Sequence, residues 1–226
     1  TGNTFAAGAI DLKIDNESYY NGVLNEETTW ELVDLTIEKF FNFTDVKPDD
    51  YGEDTISIHV DTNDAYLCAE VTLTSNDEND LTEPEATDGD DTTGPGAGEL
   101  AQNVNFIWWA DDGDNVLETG ENLLPGGPLG ALDIGQTAQV TLADSQTNIW
   151  DTSGPITGGQ TYYIGKAWCF GEIGTAPDDQ DGVGNIKTPA GDNNGNATAG
   201  EPEDGGLTCD GSLLNNITQT DSPTLD

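Results

Sequence analysis

The residues of this chain best suited to chemistry are acidic, and they are spaced for a cation. One run reads Asp111-Asp112-Gly113-Asp114-Asn115-Val116-Leu117-Glu118-Thr119-Gly120-Glu121. Alternating oxygen donors on a glycine-bent loop, followed by a later glutamate, suit a hard divalent ion such as Ca²⁺. Asp112, Asp114 and Glu118 are the expected ligands, with Glu121 the later carboxylate. The spacing is not that of an EF-hand and no helical pattern flanks it, so a solvated acidic hairpin turn fits the same residues. A second, weaker cation candidate, Asp178-Asp179-Gln180-Asp181-Gly182, reads better as a flexible loop. Calcium is the one cofactor the sequence suggests.

Catalytic patterns are scarce, and no catalytic residue is assigned. His59 is the only histidine, and there is no His-Glu-x-x-His, so one chain cannot build a histidine-pair zinc site. His59 lies between Ile58 and Val60 in a strand-like run, and G-x-S-x-G is absent. Paired carboxylates suited to glycoside cleavage arise by chance in so acidic a chain. Cys68, Cys169 and Cys209 include no C-x-x-C; one disulfide and one thiol is the simplest arithmetic. Sequons begin at Asn16, Asn42, Asn196 and Asn216, which would suit an extracellular glycoprotein.

Charge narrows the partners. Against 44 acidic residues stand 5 lysines, for a net charge of -39. Such a chain repels phosphate backbones and anionic membrane surfaces, which argues against nucleic acid as a partner. No run approaches the roughly 20 apolar residues of a membrane span, so stable membrane insertion is not expected. The charge suits solubility, including in saline water, or the binding of divalent cations. Thr1 in place of Met suggests a processed terminus.

The elements that must position these groups read as strands. Apolar residues alternate at Ile10, Leu12 and Ile14; at Ile56, Ile58 and Val60; and at Leu67, Ala69, Val71 and Leu73. They do so again at Val104, Phe106 and Trp108, at Ala138, Val140 and Leu142, and through an aromatic-rich run from Tyr162 to Phe170. Adjacent Trp108 and Trp109 must face opposite ways, so one enters the core. Short helical turns are expected near 98–102 and 213–216. About eight short strands joined by polar loops predict an all-β, jelly-roll-like β-sandwich as a single domain over 15–226. The stretches 75–98 and 171–206 are rich in Asp, Gly, Asn and Thr and read as acidic surface loops.

The segment Asn3-Thr-Phe-Ala-Ala-Gly-Ala-Ile-Asp-Leu12 resembles the start of mature TasA and camelysin-type proteins, whose pattern is roughly TFxxGTLDL. Thr44-Asp-Val-Lys-Pro-Asp-Asp-Tyr-Gly52 is similar to that family's LKPGD turn, with Asp49 in place of its glycine. The resemblance covers residues 3–74 and includes archaeal bundling-pilus subunits. It implies a secreted structural subunit that polymerises head-to-tail into an extracellular filament or biofilm-matrix fibre, with identical subunits as partners. Residues 1–14 would be the lent strand, presenting Phe5, Ala7, Ala9, Ile10, Leu12 and Ile14. Asn16-Glu17-Ser18 and Asn21-Gly22 would be its hinge. Secretion in turn implies an oxidising compartment and a Cys169–Cys209 disulfide closing the 171–206 loop, with Cys68 left free. A monomeric calcium-dependent cell-surface or adhesion module is the alternative, and a camelysin-like protease a distant one.

Overall fold

The computed structural model describes residues 11–226 apart from Val183 and Asn185. Phe5, Ala7, Ala9 and Ile10 of the expected lent strand therefore lie outside the described residues. The chain forms the expected all-β sandwich from antiparallel sheets. The larger sheet has the order β2-β1-β4-β9-β6-β7, with β3 also paired to β1. Its members are β1 (Leu12–Tyr20), β2 (Val23–Leu24), β3 (Trp30–Val33), β4 (Tyr51–Val60), β6 (Val104–Asp111), β7 (Leu123–Pro128) and β9 (Gln160–Phe170). Facing it is a smaller sheet of β12 (Ser222–Leu225), β5 (Leu67–Asp77) and β8 (Thr137–Ala143). A separate hairpin pairs β10 (Glu172–Thr175) with β11 (Leu207–Asp210). The only α-helices among the described residues are α1 (Glu83–Asp88) and α2 (Leu100–Asn103). None of the described helices is long and apolar enough to cross a membrane.

Strand alternation builds the core. Even-numbered Ile56, Ile58 and Val60 on β4, Ala110 on β6 and Ile164 on β9 turn inward against Leu142 and Ala143 on β8. Further along, Phe106, Trp168 and Phe170 pack with Leu73, Leu100 and Ala101, beneath Phe41 and Phe43 from the segment before β4. The opposite face of β6 and β9 is covered too: Trp109 and Ala167 meet Leu117 and Leu207. Trp109 is wholly buried and Trp108 half-buried, so both indoles are covered. Gly165 lies opposite Trp109, and a Cβ there would fall 2.0 Å from the indole, so the ring needs glycine beneath it.

Covering both faces forces β4 to bury charge. Asp54 pairs with Lys166 at 3.2 Å, both side chains almost fully enclosed. Lys166 Nζ lies 3.6 Å from the Phe41 ring centre and 4.7 Å from that of Phe40. Burial pulls Lys166 down to about 8 and pushes Asp54 up, while their mutual attraction opposes both shifts. Asn16 Nδ2 donates to the Thr28 carbonyl at 2.7 Å and to Asp54 at 3.3 Å, and Thr28 Oγ1 donates to Ser18 at 2.9 Å.

Several expectations need correction here. Leu12 and Ile14 belong to β1, in register with Val60 and Ile58 of their own chain, so they are not free to be lent from this arrangement. Asn16 and Ser18 are buried mid-strand rather than hinging, because they satisfy the groups around Asp54. Asn21-Gly22 makes the tight β1–β2 turn, both with positive φ. The buried amide of Asn16 cannot accept a glycan in this fold, whereas Asn42, Asn196 and Asn216 are exposed. Residues 213–216 are irregular, with a turn at 213 and a bend at 216, instead of helix. The stretches 75–98 and 171–206 are not plain surface loops: they hold the end of β5, α1, all of β10, and buried Glu78, Glu85 and Asp204. Polar bonding, not apolar burial, orders them.

Cys169 and Cys209 form the expected disulfide, linking β9 to β11, and Cys68 is free and exposed. Reducing it, or substituting Cys209→Ser, should cost about 3–4 kcal/mol by the loop-entropy model. Denaturant melts of oxidised and reduced protein check this; identical midpoints would show that the loop is held without the bridge.

Glu53 gives a second test. It is fully buried, neither carboxylate oxygen has a hydrogen-bond partner among the described residues, and burial first, then Asp54 and Asp204, raises its pKa well above the usual range. The unfolded chain loses this proton near pH 4.3, so Glu53's contribution is complete below that pH and is lost as pH rises toward the folded value. Glu53→Gln should remove that decline, worth about 1.4 kcal/mol per pH unit while the folded side chain stays neutral. Unfolding free energies from pH 4 to 8 that fall equally in parent and variant would show that Glu53 holds no proton.

Candidate cation site

The loop after β6 is built from its first residue. Asp111 is buried and accepts from Trp109 Nε1 at 3.0 Å, from the Gly113 N–H at 3.0 Å and from the Asn115 N–H at 3.2 Å. These bonds curl the chain, and Gly113 and Asn115 take φ values of 118° and 65°. Val116 and Leu117, fully buried, then pin the loop to the sheet. The curl brings one carboxylate oxygen each of Asp112, Asp114 and Glu118 within 4.8 Å of one another. All three expected ligands are thus gathered. Glu121 is tied to the same loop, its Oε2 accepting from the Glu118 N–H at 2.8 Å.

Each of these carboxylates is held through one oxygen or left with one bare. Asp114 Oδ1 accepts from the Val116 N–H at 2.9 Å, and Glu118 Oε1 accepts from Lys187 Nζ at 2.8 Å and the Asp181 N–H at 3.2 Å. Asp114 Oδ2, Glu118 Oε2, Glu121 Oε1 and Asp112 Oδ1 are buried with no partner among the described residues. Burial first, then neighbouring carboxylates, pushes Asp114 up to about 8 and Glu121 up to about 9. Asp112 is raised for the same reasons. Bare, converging oxygens without nitrogen or sulfur donors are the chemistry of a Ca²⁺ site.

The run at 178–182, expected to be a flexible loop, is part of this site. Asp178 and Leu117 share a backbone hydrogen bond of 3.0 Å, and the Thr119 N–H donates to the Asp178 carbonyl at 2.9 Å. Lys187 then reaches both Glu118 and Asp178, at 2.8 and 3.2 Å. The sequence separation of about sixty residues hid this partnership; the parallel bridge Glu118–Asp178 creates it.

His59 is engaged across the sheet, its ring nitrogens 2.8 Å from Asp15 Oδ2 and 3.1 Å from Thr161 Oγ1. Lys13 and Thr161 flank it in the ladder, which makes it a cross-strand contact of β1, β4 and β9.

Comparison with protein-family models finds no match. None is found among curated proteins, and none among solved structures.

Calcium should stabilise the folded chain through this loop by mass action, by about 2.7 kcal/mol at a hundredfold excess over Kd. Asp114→Asn with Glu118→Gln should weaken binding here at least tenfold. Calorimetric titration of the chelated protein measures both effects. Unchanged binding in the double variant would leave the loop as an acidic turn.

Proposed function

We propose that this protein is a secreted structural subunit that assembles head-to-tail by adding residues 1–10 of one copy to the sheet edge of the next. The supporting observation is an apolar strip on the β2/β3 edge, which has no outer partner among the described residues. Val23, Leu24, Leu32, Leu35 and Ile37 are all exposed, Ile37 at 87%. An uncovered apolar edge invites another strand. The occupant is the segment preceding β1, which carries Phe5 and Ile10 and contains no proline.

Head-to-tail contacts build filaments when the rotation between copies does not close a ring. The jelly-roll reading and the resemblance to TasA and camelysin-type fibre subunits belong to this proposal. One local feature agrees with them: Asp49, where the resembled turn carries glycine, has φ of 75°, a conformation glycine adopts more readily. The disulfide accords with an oxidising, extracellular setting. No catalytic role is assigned. A second reading, a monomeric calcium-dependent surface module, is favoured by the Asp112/Asp114/Glu118 cluster.

Deleting residues 1–10 should leave a folded monomer, whereas the full chain should sediment as polymer and show filaments by electron microscopy. Leu32→Lys with Val23→Lys should block assembly in the full chain. Filaments from the truncated protein would rule out strand addition, and a monodisperse full chain in calcium would favour the monomeric module.

A further inference from the structure

The excursion between β5 and β6 holds a second group of carboxylates, made by distant parts of the chain. Glu78 follows β5, Glu85 lies in α1, Asp90 and Glu99 follow that helix, and Asp221 immediately precedes β12. Oxygens of Glu78, Asp90 and Glu99 lie within 4.8 Å of one another, as do those of Glu78, Glu85 and Asp221. Glu78 belongs to both sets.

All five carboxylates are arranged alike. One oxygen is fixed by a donor from the protein. Glu78 Oε1 accepts from the Asp80 N–H and Thr220 Oγ1, both at 3.1 Å. Glu85 Oε2 accepts from the Thr82 N–H at 2.6 Å, and Asp90 Oδ1 from the Thr92 N–H at 2.9 Å. Glu99 Oε1 accepts from Thr92 Oγ1 at 3.3 Å, and Asp221 Oδ2 from the Glu99 and Leu100 N–H groups at 2.6 and 2.9 Å. The other oxygen of every one is buried without a protein donor, save that Asp221 and Glu78 approach closely enough to share a proton. Glu85 is 0% exposed and Glu78 2%, so water does not replace the missing partners freely.

A buried carboxylate with one bare oxygen is costly, and gathering several adds repulsion. No lysine forms an ion pair with any of them among the described residues; the ion pairs of Lys47, Lys166 and Lys187 lie elsewhere. Fixing one oxygen while presenting the other is how outer-shell bonds orient ligands around a metal. The set offers oxygen only, which selects a hard cation over zinc or copper.

We propose that Glu78, Glu85, Asp90, Glu99 and Asp221 form a second centre for a hard divalent cation, with calcium as the probe, that fastens β12 to the body. Asp221 reaches the centre directly, and the next residue opens β12, whose only ladder partner among the described residues is β5. Removing the ion therefore releases the C-terminal edge strand and the 78–99 excursion together. This centre is independent of both the loop at 111–121 and the assembly proposal.

The test uses the full chain, stripped with chelator and titrated with calcium alone. Hydrogen exchange at 83–90 and 222–225 should slow at least tenfold when calcium is added. Asp114→Asn with Glu118→Gln should keep that protection, whereas Glu78→Gln with Glu85→Gln should lose it and lose calcium equivalents by calorimetry. Should those amide variants not fold, the unmutated protein still decides the matter. Calcium-independent exchange at 83–90 and 222–225 in the parent, or unchanged calcium equivalents in folded Glu78→Gln/Glu85→Gln protein, overturns the proposal.

Discussion

Buried carboxylates outnumber the lysines that could neutralise them, and this constraint shapes the molecule. With 44 acidic residues and 5 lysines, most enclosed acids need another counter-charge. Asp54 takes a lysine, Lys166, inside a cage of Phe40, Phe41 and Trp108. Glu53, its neighbour on the opposite face of β4, has no such partner, and burial raises its pKa well above the usual carboxylate range, which favours the neutral form. The 111–121 cluster takes Lys187 as a partial counter-charge, the group around Glu78 takes no lysine among the described residues, and both have the oxygen-only geometry that could hold a divalent ion.

The Asp54–Lys166 pair stands where the two halves of the inner core meet. The Ile56/Ile164 half lies on one side of it and the Phe106/Trp168 half on the other, so the pair sets the register between β4 and β9. A buried pair of this kind is weak evidence for stability, because desolvation offsets most of the attraction. Removing one partner would strand the other in an apolar aromatic setting, which is what makes the register hard to change. Asn16, Ser18 and Thr28 extend the same polar centre into β1.

The central strands were legible because their alternation is simple: Ile56 to Val60, Leu67 to Leu73, Val104 to Trp108 and Tyr162 to Phe170 all fall in ladders. The short edge strands were not, since β2 and β12 draw on two and four residues and take their pairing from neighbours. Asp112, Asp114 and Glu118 could be read as ligands because they are close in sequence. Lys187, and the joining of Asp178 to that loop, could not, because only the folded chain brings them near. The acidic stretches misled for a related reason. Composition suggests that segments without apolar residues stay solvated, yet Glu78 and Glu85 are enclosed through backbone and hydroxyl donors that composition does not reveal.

The central claim is that folded carboxylates here are completed by metal. Elemental analysis of protein purified without chelator, then dialysed against micromolar calcium, tests it most directly. The account predicts at least one tightly held calcium for the 111–121 loop and at least one for the centre around Glu78. A folded protein that retains less than about a tenth of an equivalent, with its melting temperature unmoved by chelator, would contradict it.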